Sequence, residues 1–410
     1  MFWPHTAEMQ RVGILCGANK RAAIACARGL ASEGVKTLLL FREKGDIRSR
    51  IAMRRYARLG ERALFRNDSE DIFIASLKTI SRIHGAFTLL PIGEQYTRWM
   101  ARNKEELERS GVYPAVCDYA TYCRLSDKAS FMEMCKRFGL DIPERYDQKA
   151  LSQDIMPFVV RPRVFLDDTG ILKYPVLVAT QGAYRRIIAM RLDLEGHIIE
   201  RMIPGPGIYF CGCYQNGELL QSFTQITLLQ QPGGMSVLKA APSAQLPDTV
   251  TDNINNMFSS LEYSGVMMME LKKCPQKNRF YAIECNPRMW GPLQLCIDHG
   301  VNFPAMLAGA SPADGPKRTG IGYTWNNGIL DGYLKKLRFR SGFQRTDSMT
   351  GIAYKDVWYR SDTLPYAILE PFFLMASLFF GKRGAGKGSQ DSHFITSEKE
   401  TQSAKPSSLQ

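Results

Sequence analysis

The chain opens with short apolar runs alternating with amphipathic stretches. Residues 12–16 are uniformly apolar and read as a buried strand. Gly17-Ala18-Asn19 turns the chain, and residues 22–30 carry apolar side chains at helical spacing. Gly34 ends that helix and residues 35–41 form the next strand. Residues 87–91 are a further strand, followed by a helical run through Trp99, Met100 and Leu107. Strands alternating with helices predict a parallel sheet with crossover helices, an α/β unit over residues 11–120.

After residue 120 the pattern changes. Asp127-Lys128 opens a helix containing Phe131, Met134, Cys135 and Phe138, and Gly139 stops it. Residues 158–162 form a buried strand ending in Arg161, with Arg163 just beyond. A second strand starts at Lys173, residues 184–190 have helical spacing, and residues 198–203 form a strand before the sharp turn at Pro204-Gly205-Pro206-Gly207. Gln215-Asn216-Gly217 between two apolar runs predicts an antiparallel hairpin, because Asn-Gly fits the tight two-residue turn. Gly233-Gly234 breaks the strand after it, residues 250–261 read as a helix, and the strands around Glu270 and Glu284 form another hairpin. This is α+β organisation around antiparallel sheets, over residues 121–310. A C-terminal extension follows over 311–383, and residues 384–410, rich in Gly, Ser, Lys and Gln, are expected to be disordered.

Residues 364–380 are the most apolar stretch of the chain. They fall short of the roughly 20 apolar residues a spanning helix needs, and they contain Pro365, Glu370 and Pro371. Lys382-Arg383 follow. Two readings stand: a terminal helix packed on the body, or an interfacial helix giving peripheral membrane contact through 364–383.

With 410 residues, 45% of them hydrophobic and 23% charged, the chain has room for two or three domains with their own core. No basic segment with a cleavage site opens it, so no signal peptide is expected. Its ten cysteines are scattered, and the nearest pair, Cys211 and Cys213, has no CxxC or His companion. That argues against zinc and a disulfide framework and for a reducing, cytoplasmic location. Five histidines give little basis for His-centred catalysis. The net charge of +13 concentrates between residues 42 and 66, including Arg48, Arg50, Arg54, Arg55, Arg58 and Arg62, and again at Lys335, Lys336, Arg338 and Arg340. Such patches fit an anionic partner or a solvated basic face. No nucleic-acid-binding signature accompanies them, so no nucleic-acid partner is expected. Gly13 and Gly17 lack GxGxxG spacing, and residues 382–387 lack that of a P-loop.

The chemistry gathers in residues 279–288. Strand periodicity puts Ala282, Glu284 and Asn286 on one face, and Pro287 stops the ladder. A second carboxylate, Glu270, closes the apolar run 266–269. Two carboxylates and an amide on adjacent strands suit Mg²⁺ or Mn²⁺ that also holds nucleotide phosphates. Arg288 is placed to face those phosphates or an acyl phosphate. The plainer alternative is a strand ending in an Asx-capped turn.

Taken in order, these pieces resemble the ATP-grasp carboxylate–amine ligases, over about residues 11–310. The order comprises the α/β preliminary domain, the Asp127-Lys128 helix, the strand ending at Arg161, the strand from Glu200 to Ile203, Gly233-Gly234, then Glu270 and Glu284-Cys285-Asn286-Pro287-Arg288. The resemblance implies ATP gripped between two α+β subdomains, with Glu270, Glu284 and Asn286 as Mg²⁺ ligands. It places Arg288 beside the transferred phosphoryl group and Glu200 and Ile203 at the hinge that reads the adenine. Lys173 counts with them as nucleotide-binding. Arg161 stands where the family usually has a phosphate-contacting Lys; an Arg still neutralises phosphate but is longer and planar. Asp168-Thr169-Gly170 and Gln181-Gly182 are the candidates for the phosphate loop, and Trp290-Gly291-Pro292 with Gln294 for the acceptor wall. The implied reaction activates a carboxylic acid as an acyl phosphate for attack by an amine. These small molecules are the expected partners, in a chain whose preliminary domain is of a kind often found in dimers. The alternatives are a carboxylase, a phosphoryl transferase, or a nucleotide-binding module without turnover docked at a membrane surface.

Overall fold

The computed structural model describes residues 11–147, 151–164, 175–189, 196–231, 236–311, 317, 319–339, 344–346 and 350–380. Five strands make the first sheet: β1 (Arg11–Leu15), β2 (Lys36–Arg42), β3 (Glu61–Phe65), β4 (Phe87–Leu89) and β5 (Val112–Pro114). They are all parallel, in the order β3-β2-β1-β4-β5. β1 and β2 are apolar almost throughout because helices cover both faces of a parallel sheet. Asn19 caps the Lys20–Ser32 helix, its side chain accepting from the Ala22 N–H. Two details differ from the sequence reading. The run through Trp99 and Leu107 is two helices, Glu94–Arg102 and Lys104–Arg109, parted at Asn103. The edge strand β3 has no clear signal, since only Phe65 is buried, and the sequence reading omits the Glu70–His84 helix although Ser69 caps it and Phe73, Ile74, Leu77 and Ile80 recur at helical spacing.

A small antiparallel sheet follows, from β6 (Phe158–Pro162), β7 (Val176–Val178) and β8 (His197–Arg201), in the order β7-β6-β8. Phe158, Val160, Val178, Ile187 and Ile199 form its core. The chain then enters the large sheet: β9 (Gly207–Gln215), β10 (Glu218–Gln230), β11 (Val237–Pro242), β12 (Gly265–Cys274), β13 (Arg279–Asn286), β14 (Ile321–Thr324), β15 (Gln344–Arg345) and β16 (Ala353–Asp356). The order is β13-β12-β9-β10-β11-β14-β16, with β15 pairing β10. Thus the segment 311–383 supplies three strands to this sheet. The expected hairpin joins β9 and β10, with Asn216 at φ 49° and Gly217 at φ 83°, the left-handed pair the tight turn needs.

β9 is buried from Gly207 to Tyr214 because both of its faces are covered. Tyr209, Cys211 and Cys213 join a core with the Lys20–Ser32 helix, Trp290 and Trp358, while Ile208, Phe210 and Tyr214 join a second core on the other face. All ten cysteines are free and nine are buried.

Residues 364–380 form one helix that packs on the body through Tyr366, Ala367 and Glu370. This is the first of the two sequence readings. Peripheral membrane contact has no support here: Lys382 and Arg383 lie outside the described residues, and among those described no helix is long and apolar enough to cross a membrane.

One buried ion pair ties this C-terminal part to the first domain. Arg28 meets Asp362 with Nε–Oδ2 2.7 Å and Nη2–Oδ1 3.0 Å, and also donates to Gln294, Thr363 and the Val357 carbonyl. Tyr56 donates to the same carboxylate at 3.0 Å. Removing Arg28 leaves Asp362 charged and largely buried, with Tyr56 as its remaining side-chain donor. Arg28→Ala is therefore expected to cost about 3 kcal/mol, read from the midpoint shift in urea unfolding; a change under about 1 kcal/mol would show the pair to be incidental.

Candidate functional site

The two parts of the chain enclose a cleft of about 900 Å³. β12 and β13 deliver its central carboxylates. Glu270 and Glu284 are register partners, and Met268 partners Asn286. Val266 and Met268 precede Glu270 at strand period, so Glu270 is the polar end of an apolar face; Met268 and Glu270 both line the cleft. On β13 the simple alternation fails. A bulge opposite Glu270 and Leu271 shifts the register from Glu284 to Ala282. Ala282 consequently sits in the core, and Ile283 joins Glu284 and Asn286 at the cleft. The expectation that Ala282 shares the face of Glu284 is corrected by that one extra residue.

Cations surround the carboxylates. Lys128 follows the N-cap of the Lys128–Arg137 helix, where Asp127 accepts from the Ser130 N–H at 2.8 Å and also pairs with Arg163. Lys128 Nζ lies 3.5 Å from Glu284 Oε2, nearly buried. Sequence reasoning noticed Asp127-Lys128 as a helix start and missed Lys128 as a site residue; a Lys at a capped helix start was the signal available. Burial pushes the Glu284 carboxyl up, but Lys128, Arg161, Asn286 and Arg288 together hold it below the ordinary carboxylate range. Glu270 goes the other way. Burial and the facing Glu284 raise it, outweighing Lys272, Arg161 and a Tyr209 hydrogen bond.

Arg288 is fixed from the first domain. Its Nε donates to Glu94 Oε2 at 2.6 Å and its Nη2 to Asn286 Oδ1 at 3.0 Å. Tyr122 donates to the other Glu94 oxygen, and Asn286 Nδ2 to Glu284 Oε1 at 3.1 Å. A continuous chain of polar contacts thus runs from Tyr122 to Lys128 through Glu94, Arg288, Asn286 and Glu284. Glu94 opens the Glu94–Arg102 helix and carried no motif that pointed to it.

Arg161 and Glu200 come together on neighbouring strands, since β6 pairs β8 with Val159 opposite Glu200. They form an ion pair, with Glu200 only 1% exposed. Burial raises Glu200 although Arg161 pulls it down. Glu200 Oε2 is buried at the cleft with no hydrogen-bond partner. Met202, Ile203, Pro204 and Gly205 carry the chain from β8 to β9 and line the cleft beside it. Gly205, at φ 107°, passes so close to the Lys273 carbonyl that a Cβ would lie 2.2 Å from its oxygen. The structure thus brings Arg161, Glu200, Ile203, Glu270, Glu284, Asn286 and Arg288 to one cleft. Lys173, Asp168, Gly170 and Gly233-Gly234 lie outside the described residues. Gln181 and Gly182 open the Gln181–Ala189 helix and do not line the cleft. Trp290, Gly291 and Pro292 do line it, but Gln294 does not: one step along the Leu293–Asp298 helix it turns to Arg28 and Asp298.

Solved structures share this architecture. The biotin carboxylase domain of 2-oxoglutarate carboxylase from Hydrogenobacter thermophilus, a domain dimer in complex with MgADP, ADP and bicarbonate, superposes with a TM-score of 0.56 at 16% identity, over 76% of this chain and 72% of that one. N5-carboxyaminoimidazole synthetase from Staphylococcus aureus gives 0.55 at 14%, over 77% and 81%. The L-amino acid ligase from Bacillus licheniformis gives 0.51 at 15%, over 74% of each chain. All three are ATP-grasp enzymes. The chain has the ATP-grasp fold. No protein-family model matches it, and no curated protein does.

Two tests ask whether an ATP-grasp nucleotide and metal fit these residues. The unpartnered Glu200 Oε2 can accept from an adenine amino group. The facing carboxylates with one amide match the hard-oxygen set of Mg²⁺, which keeps other positions for phosphate and water. Among the described residues no group of three or more His, Cys, Asp and Glu is placed to hold a metal ion by itself. Both groups fit.

The raised Glu270 has a signed consequence. A carboxyl raised in the fold favours folding at low pH and loses that favour as pH rises through its folded value. The raised carboxyl therefore makes Glu270 a cost to the metal-free fold at pH values above its unfolded range. Glu270→Gln is expected to raise the melting temperature of the Mg²⁺-free protein at pH 7 and to remove the further gain from Mg²⁺ with ADP. Scanning calorimetry checks both; a fall in the Mg²⁺-free melting temperature contradicts the assignment.

Proposed function

We propose that the chain is an ATP- and Mg²⁺-dependent ligase that activates a carboxylate as an acyl phosphate for attack by an amine. One observation carries the reading: Glu270 and Glu284, paired across β12 and β13 with Asn286 beside them, face Arg161, Lys128 and Arg288 inside one cleft. Phosphoryl transfer asks the protein for positioning and charge neutralisation more than for covalent chemistry. This set offers both and needs no Ser, Cys or His nucleophile.

Glu270, Glu284 and Asn286 would hold Mg²⁺, which when bound neutralises phosphate oxygens and fixes their orientation. Glu200 and the Ile203 segment take the adenine edge. Arg161, held in plane by Glu200, and Lys128 face the phosphates from the small-sheet side. Arg288, locked between Glu94 and Asn286, waits where the substrate carboxylate meets the phosphoryl group. The terminal phosphoryl passes to that carboxylate, leaving ADP; the amine then attacks the carbonyl and phosphate departs with the bonding pair. The presence of a carboxylase and a carboxyaminoimidazole synthetase among the structural neighbours favours a second reading, in which bicarbonate is the acid.

The test is Mg²⁺-dependent ADP release across acids, including bicarbonate, and amines. Release that needs both an acid and an amine, and falls at least about a hundredfold in Glu284→Gln, is expected; full turnover in that variant would falsify the reading. Release with bicarbonate alone selects the second reading.

Glu94 gives a separate prediction. Glu94→Gln removes the charge that clamps Arg288 and changes no group at the adenine end of the cleft, Glu200 and the Ile203 segment. It should lower kcat by about a hundredfold through misplacement with the KM for ATP unchanged. A raised KM for ATP at normal kcat would contradict this placement.

A further inference from the structure

The ligase reading leaves one stretch of the cleft wall without a task. Lys20 and Arg21 reach it from the start of the Lys20–Ser32 helix, Arg48 from the Ile47–Ala52 helix, and Trp325, Glu370 and Leu374 from the C-terminal part. The three cations share a peculiarity. Arg21 donates to the Val237 carbonyl at 3.0 Å, to Tyr323 Oη at 3.2 Å and to Ser236 Oγ at 3.3 Å, and lies 3.9 Å over the Trp325 ring. Arg48 donates to the Phe373 carbonyl at 3.2 Å and lies 4.9 Å over its ring. Lys20, only partly buried, makes no ion pair among the described residues. None of the three forms an ion pair among the described residues, and the one carboxylate whose field reaches Arg21, Glu370, is itself raised by burial.

Carboxylates that line the cleft nearby are committed elsewhere. Glu94 is bound to Arg288 at 2.6 Å. Glu370 accepts from Asn327 at 2.8 Å and from Tyr366 at 3.2 Å, and burial raises it above the ordinary carboxylate range although these bonds and the nearby Arg21 pull it down. Cations without an ion-pair partner in a concave, low-dielectric wall focus a positive field on whatever enters. Holding them there costs desolvation that a bound anion offsets.

We propose that this wall binds an anionic group of the acid substrate beyond the carboxylate activated at Arg288, so that the substrate is at least a dianion: a dicarboxylic acid or a phosphate-bearing acid. The inference rests on the ligase reading for the position of the activated carboxylate. Arg21 orients on Trp325, Arg48 anchors the Leu364–Phe380 helix, and Lys20 remains the adaptable contact. The C-terminal segment thereby shapes substrate choice, since Trp325, Glu370 and Leu374 all belong to it.

The experiment is calorimetric titration of the full chain at fixed ionic strength, with the nucleotide site saturated by Mg²⁺ and a non-hydrolysable ATP analogue. The probes are succinate, inorganic phosphate and acetate. Succinate or phosphate should bind saturably and acetate at least about tenfold more weakly, the effect of one charge-assisted contact. Tighter succinate identifies a second carboxylate, and tighter phosphate a phosphoryl group. Lys20→Gln and Arg48→Gln should each weaken the preferred dianion about tenfold with analogue affinity unchanged. Lys20, half-exposed and without an ion pair, gives a variant that keeps the fold even if Arg48→Gln loosens its helix. Normal analogue binding with no dianion binding, with no preference over acetate, or with dianion affinity in both variants equal to that of the unaltered chain overturns the proposal and leaves the ligase reading standing. Absence of Mg²⁺-dependent analogue binding overturns the ligase reading, and the proposal with it.

Discussion

Two carboxylates face one another across a strand pair, and the rest of the cleft is arranged around that repulsion. Like charges directly opposite on a sheet destabilise it. In this chain Glu270 and Glu284 occupy such a pair. The fold does not relieve it evenly. Lys128, Arg161, Asn286 and Arg288 cluster on Glu284 and hold it ionised, while burial and its neighbour push Glu270 toward the protonated form. On the proposed reading, a divalent cation held by the two carboxylates would offset that repulsion, and the stability the pair costs the fold would be recovered on binding.

The same logic explains why distant segments converge. Each cation at Glu284 comes from a different element. Lys128 arrives on a helix whose N-cap, Asp127, is tied to Arg163 just past β6. Arg161 arrives on β6 and is stiffened by Glu200 on β8. Arg288 arrives past the end of β13 and is clamped by Glu94 from the parallel-sheet domain. Three parts of the chain therefore meet at one carboxylate. Displacing the small sheet, the linker helix or the first domain would alter the charge balance at Glu284, so structural order and site electrostatics are one property here.

Much of this was legible in the sequence because it followed local rules. Glu270 at the end of an apolar run, Glu284 and Asn286 two residues apart, and Asn216-Gly217 between two apolar runs are period-two and turn signals, and all fall where those rules put them. What was not legible depends on tertiary context. The bulge that moves Ala282 into the core leaves no mark on residue types, because Ile283 is as apolar as Ala282. Gln294 looked like a polar wall residue beside Trp290; only the position of Arg28, far away in sequence, decides which way it turns. Glu94 is an ordinary acidic residue in a first helical turn, a favourable place for any Glu, and its contact with Arg288 spans 194 residues.

The C-terminal part illustrates the same limit with a larger effect. Residues 364–380 are apolar enough to evoke a membrane surface, yet the buried residues Tyr366 and Glu370, a turn apart, form one face of the helix and Ile368 and Phe372 an exposed one. A Glu in the middle of an apolar helix is costly unless its oxygens are satisfied, and Asn327 and Tyr366 satisfy those of Glu370. The helix is thus held to the body by a polar contact that hydropathy scores as a defect. Arg48 and Arg28 then fasten this segment to the first domain from two sides, through the Phe373 carbonyl and Asp362. A segment that first read as an appendage completes the large sheet and walls the cleft, so the substrate side cannot be understood without it.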